Sequence, residues 1–202
     1  MKRIIAILVL AISTQISAQD SPQFGVNISP SWKINAARQV QTGLRSNQSG
    51  YGFRVGVPVK FWLNDYTAFN TGLDYEFTSF DGFQNGQLVS SFRFNSLHLP
   101  LVFNMHLSGN LYAMAGTGLV YNLTARDLNN ITFGTDVSAV TNSLQPELAL
   151  GINSFVEKGS GEFEFGVLGR YQILDIWKND YLPMEPFNSH IISLDLLLRY
   201  YF

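Results

Sequence analysis

Bulky apolar residues recur at every second position along most of this chain. Tyr51, Phe53, Val55, Val57, Val59 and Phe61 alternate with Gly52, Arg54, Gly56, Pro58, Lys60 and Trp62. Phe69, Thr71, Leu73, Tyr75 and Phe77 alternate with Asn70, Gly72, Asp74, Glu76 and Thr78. Leu97, Leu99, Leu101, Phe103, Met105 and Leu107 stand against Ser96, His98, Pro100, Val102, Asn104 and His106. At the end, Ile192, Leu194, Leu196, Leu198, Tyr200 and Phe202 stand against Ile191, Ser193, Asp195, Leu197, Arg199 and Tyr201. Successive strand side chains point to opposite faces, so each run is a strand with one broad apolar face and one small or polar face. A helix would need spacing near 3.6. Weaker alternation over 22–34, 111–124, 143–155 and 161–174 brings the predicted strands to eight.

The connections alternate in length. Asn64-Asp65, Ser108-Gly109-Asn110 and 157–160 read as tight hairpin turns, with long polar connections near 35–49, 80–91, 125–142 and 175–188 between them. Short periplasmic turns on one rim and long extracellular loops on the other are the signature of outer-membrane barrels, and an even strand number puts both termini on the short-turn rim. The stretches near 35–49 and 125–142 have room for further β-structure. The expected fold is all-β: an eight-stranded antiparallel up-and-down transmembrane barrel.

Alternation alone leaves open a soluble barrel with its apolar face inward. Volume decides against it. Eight strands enclose space for side-chain filling or one small ligand, and the bulky face carries several large residues on nearly every strand. Gly25, Gly52, Gly56, Gly72, Gly116, Gly118, Gly151 and Gly166 on the other face suit a crowded lumen. That face also holds Lys33, Arg54, Lys60, Arg170 and Arg199 against Asp74, Glu76, Glu147, Glu164 and Asp195. Buried charges are costly unless paired, so a cross-strand ionic network filling the barrel is expected rather than a selective pore; scattered charges on wet rims are the alternative. Folding the first long hairpin about Asn64 sets Arg54 opposite Asp74, and folding near Lys158 brings Glu147 close to Arg170.

Composition narrows the function classes. Charged residues make up 14% of the chain, against roughly a quarter in soluble domains, and the formal net charge of −2 offers no basic surface for nucleic acid. Cysteine is absent, which removes disulfides and thiolate metal sites. Lys2 and Arg3, the apolar run 4–12, and Ser17-Ala18 read as a signal peptide over 1–18, leaving a barrel domain over 19–202. The apolar run is well short of the ~20 residues a membrane-spanning helix needs.

Hydrolytic chemistry requires a nucleophile with a base in hydrogen-bond reach. His190 and Ser193 are three apart on a strand and face opposite ways. Ser96 and His98 share a face, apparent lumen packing with catalysis as the weaker reading. His106 lies beside a tight turn. No His/Asp/Glu spacing suggests a metal, no glycine-rich loop leads into a helix, and no cofactor is implied. Tyr51, Trp62, Tyr66, Tyr112, Tyr121, Tyr171 and Tyr200 near strand ends fit interfacial aromatic girdles. The apolar connection 175–187 reads either as a binding patch or as a lid over the mouth.

Ser96-Leu97-His98-Leu99-Pro100-Leu101-Val102-Phe103, a tight turn, then Leu111-Tyr112-Ala113-Met114-Ala115-Gly116-Thr117-Gly118-Leu119-Val120-Tyr121 resembles the central hairpin of the PorT-type outer-membrane barrel family of Bacteroidota. The closing Leu196-Leu197-Leu198-Arg199-Tyr200-Tyr201-Phe202 resembles a C-terminal signal read by barrel assembly machinery, with Tyr200 and Phe202 its signal residues. The resemblance implies fold, outer-membrane lipid as solvent and that machinery as partner during insertion. The function expected is non-enzymatic: a structural barrel, or one presenting loops 125–142 and 175–188 to an envelope partner. An accessory subunit of a secretion or assembly complex, a narrow channel and a lipid-modifying enzyme are the alternatives.

Overall fold

A computed structural model describes residues 21–39, 45–84, 87–128, 135–138, 141–176 and 187–202. The wall comprises β1 (Gln23–Gln39), β2 (Arg45–Asn64), β3 (Thr67–Gln84), β4 (Gln87–Ser108), β5 (Leu111–Asp127), β6 (Leu144–Lys158), β7 (Gly161–Gln172) and β8 (Phe187–Tyr201). Each strand pairs antiparallel with its neighbour in the chain, and β8 returns to pair with β1. The eight-stranded sheet therefore closes, and no wall strand is left with a free edge. At one rim the turns are the two-residue pairs Asp65-Tyr66, Gly109-Asn110 and Gly159-Ser160. Gly109 (φ 53°) and Gly159 (φ 67°) take the left-handed backbone that such hairpins require.

At the other rim the wall is taller than the hydrophobic pattern suggests. The stretches 35–49 and 80–91, expected as long loops, are mostly strand. β1 and β2 stay paired out to Arg38↔Arg45, and β3 and β4 out to Gln84↔Gln87. Backbone pairing continues past the level where one face must be apolar, so the ladder outlasts the alternation that reveals it. Likewise β5 reaches Asp127, and Thr135 and Asp136 add a two-residue ladder to Asp127 and Arg126. The leader and its cut after Ala18, and most of 175–188, lie outside the described residues.

Exposure is inverted relative to a water-soluble domain. Trp32, Phe53, Leu73, Leu150, Ile152 and Leu196 are exposed around the outside, whereas Lys33, Arg54, Lys60, Glu76, Glu147, Arg170 and Asp195 are almost fully buried. An apolar band on this scale suits hydrocarbon, not water. Glycines on the inner face make room for the ions. A Cβ on Gly56 would stand 2.1 Å from Oδ1 of Asp74.

Candidate functional site: the lumen and its two mouths

The middle of the lumen is ionic, and Arg170 on β7 is its hub. Its Nε donates to Asp195 Oδ2 at 2.6 Å, Nη1 to Glu147 Oε2 at 3.0 Å and Nη2 to Glu76 Oε1 at 3.0 Å. Those acceptors come from β8, β6 and β3, so one guanidinium ties three other parts of the wall together. Arg54 on β2 donates through Nη2 to the same Asp195 oxygen at 2.7 Å, and its Nε lies 3.7 Å from Asp74 Oδ2. Asn27 donates to Asp74 Oδ1 at 3.0 Å. His98 bridges the set: Arg54 Nη1 lies 2.8 Å from its Nδ1, and Glu147 Oε1 lies 2.6 Å from its Nε2. Guanidinium groups only donate, so Nδ1 is the acceptor and Nε2 carries the proton toward Glu147. Lys33 pairs with Glu76 and donates to Thr78 Oγ1 at 2.9 Å. Nearer the short turns, Arg199 Nη1 reaches both Glu164 oxygens at 3.1 and 3.2 Å, while Tyr201 Oη (2.9 Å) and Asn153 Nδ2 (2.7 Å) donate to the same carboxylate.

The cross-strand register differs from the sequence expectation at one hairpin. Arg54 stands opposite Glu76, and Asp74 stands opposite Gly56. The turn falls on Asp65-Tyr66, with Asn64 Oδ1 accepting the Tyr66 N–H at 2.9 Å. Its centre lies one residue beyond Asn64, which moves every partner by two. Arg54 still meets Asp74 because its side chain spans the offset. On the later hairpin Arg170 stands opposite Ala149 and Glu147 opposite Gln172, yet the side chains of Arg170 and Glu147 join diagonally.

An apolar layer of Val102, Met114, Ala149, Leu168 and Leu197 packs within the barrel. The two mouths contrast. At the long-loop end Phe80, Phe94, Ala125, Val137, Ile176 and Ile191 form a second apolar cluster. Val137 and Ile176 come from the connections, not the wall. Val137 N bonds Ala125 O at 2.9 Å and Asn142 N bonds Ile176 O at 2.8 Å, folding those segments inward. Below this cap a void of about 10 Å³ is lined by residues including Lys33, Glu76, Phe94 and Ile176, space for roughly one water.

At the short-turn end a cavity of about 700 Å³ opens outward, with Gln23, Trp62, Asn64, Asp65, Asn110, Tyr112, Phe155, Val156, Glu157 and Glu162 around it. At its inner end Lys60 pairs with Glu162. The Lys60 ammonium also lies 4.9 Å from the ring centre of Trp62, 4.5 Å from Phe155 and 4.4 Å from Tyr201. Trp62 and Tyr112, expected in an outer aromatic girdle, thus line the mouth instead; their even positions on β2 and β5 put them on the inner face. Sequence reasoning also passed over Glu162 and the buried amides Asn27, Asn70, Asn104, Gln145 and Asn153. Glu162 was findable, because it shares the parity of Glu164 and Arg170 on β7.

The histidine candidates are occupied elsewhere. Ser96 Oγ donates to Asn122 Oδ1 at 2.7 Å, and both ring nitrogens of His98 are engaged as above. His190 Nε2 lies 3.6 Å from Asp175 while Ser193 faces the lumen, and His106 Nε2 meets the Gly109 carbonyl at 2.8 Å. Tyr200 packs on Phe163 with ring centres 4.7 Å apart, and Phe202 is exposed with its N–H bonded to Phe24 O at 3.0 Å.

No family model and no curated protein matches this chain. Solved structures do. Neisserial surface protein A is 11% identical over 91% of this chain and 100% of its own, with a TM-score of 0.56. The fold is that of a small outer-membrane β-barrel. The outer membrane protein AlkL (13% identity, 89% of this chain, 88% of its own, TM-score 0.48) and the outer membrane enzyme PagL (14%, 85%, 97%, 0.42) are further matches. At these identities the likeness concerns architecture alone.

Proposed function

We propose that the chain is a non-enzymatic, non-conducting barrel of an outer membrane that offers its long-loop rim to an envelope partner. One observation carries this reading: the lumen is filled. Ion pairs from β1, β2, β3, β6, β7 and β8 occupy its middle, and beneath the apolar cap only about 10 Å³ is free. A solute path would have to break several buried ion pairs at once, which is costly. Planar-bilayer recording of the purified barrel tests this. Current at the lipid background is expected; a reproducible single-channel step would overturn it. The non-enzymatic part rests on Ser96 and His98 each being held by other groups.

The loops 125–142 and 175–188 are the proposed partner surface. Crosslinking in whole envelopes followed by mild extraction should recover one recurrent partner, and loss of that partner on exchanging either loop for a short Gly/Ser linker would place the contact. A second reading, an accessory subunit of a secretion or assembly complex, draws its support from the PorT-like hairpin over 96–121. Recovery of a multi-protein complex rather than a single partner favours it.

A further inference from the structure

We propose that the short-turn mouth binds an organic cation, an ammonium or guanidinium carried on an apolar stem. This does not rest on the loop-presentation reading, since it concerns the opposite end of the barrel. The cavity there, about 700 Å³, lies within the roughly 300–1,000 Å³ of small-ligand sites. Its charge has one sign: Asp65, Glu157 and Glu162 line it and no basic residue does. Lys158 is exposed at the adjoining turn and is not part of the lining. Lys60 answers only Glu162, which leaves the carboxylates of Asp65 and Glu157 to draw a cation in.

The walls supply the second half of the recognition. Trp62, Tyr112 and Phe155 lean on one another edge to face, with ring centres 6.0, 5.7 and 4.9 Å apart. Ring faces attract cations within about 6 Å of the centroid, and the Lys60 ammonium already sits inside that distance of Trp62 and Phe155. The same ring set that holds an internal cation from the lumen side therefore borders an anionic cavity on the other. Aromatic faces take the stem and carboxylates the charge, whereas a neutral or anionic ligand gains little.

The test uses the folded barrel in a non-ionic detergent, because phosphocholine detergents carry a competing quaternary ammonium. Agmatine and the blocked peptide acetyl-Gly-Arg-Gly-amide are titrated while the Trp62 indole N–H resonance is followed, with the citrulline peptide as the neutral control. Saturable shifts are expected for the cations, with the citrulline peptide at least about tenfold weaker, a loss of ~1.4 kcal/mol. Asp65→Asn combined with Glu157→Gln, both exposed and remote from the lumen ion pairs, should weaken binding about tenfold, and Trp62→Leu, read by calorimetry, by a similar factor. Equal affinity for agmatine and the arginine peptide supports a site for free amines; tighter binding of the peptide supports a basic side chain of a polypeptide. No saturable binding of either, or affinity unchanged in the Asp65/Glu157 double variant, overturns the proposal.

Discussion

The two ends of the lumen solve the same problem with opposite chemistry. Both must keep a charged interior in register while facing water. At the long-loop end, Phe80, Phe94 and Ile191 of the wall are roofed by Val137 and Ile176 from the connections. At the short-turn end nothing roofs the barrel, and a single cation, Lys60, is held in place by one carboxylate and three rings. Long connections have chain to spare for a cap; two-residue turns have none, so the wall's own side chains must finish the job. The open end is therefore the one with a cavity large enough to take a ligand.

The largest test of this contrast lies between the two ends. Arg170→Ala removes the shared donor of Asp195, Glu147 and Glu76 and strands three buried carboxylates, which should cost about 3–5 kcal/mol, read as a fall in the urea midpoint of reversible unfolding in lipid vesicles. Asp74→Ala should cost less, about 1–3 kcal/mol, because Arg54 retains Asp195; a loss as large as that of Arg170→Ala would mean the network has no single hub. Ile176→Ala hollows the cap and should cost about 2 kcal/mol, with earlier cleavage of the long connections under limited proteolysis while the wall stays protected. The smallest effect is expected from Lys60→Met, about 1 kcal/mol, since Glu162 lies at the open mouth where water can reach it and the methionine stem keeps the ring contacts. Should Lys60→Met match Arg170→Ala, the open end would be as dry as the middle.

Much of the architecture was readable from period-two alternation, because a strand that separates hydrocarbon from a crowded lumen must change chemistry at every residue. Gly56 and Arg54 against Val55 and Val57 leave little choice of face. The upper parts of β1 to β4 were not readable, since a ladder beyond the hydrocarbon carries no obligation to alternate: Ala37↔Ser46 and Gly82↔Ser90 pair through backbone alone as far as any pattern shows. Register failed for a related reason. Asn64, Asp65 and Tyr66 are all plausible turn residues, and one step in the centre of a hairpin exchanges Asp74 for Glu76 as the neighbour of Arg54. The mouth residues Trp62 and Tyr112 were misplaced because aromatic character at a strand end signals an interface without saying on which side of the wall.

By itself, the order of residues determined which side chains face in and which face out, because side-chain direction along a strand is set by local backbone geometry. Tertiary structure alone decided which ions meet, that Arg170 is their common donor, and that the barrel is capped at one end and open at the other. Those outcomes depend on turn centres, on the reach of long side chains across several strands and on where the connections fold back. Each joins residues far apart in the chain, and no local spacing encodes them.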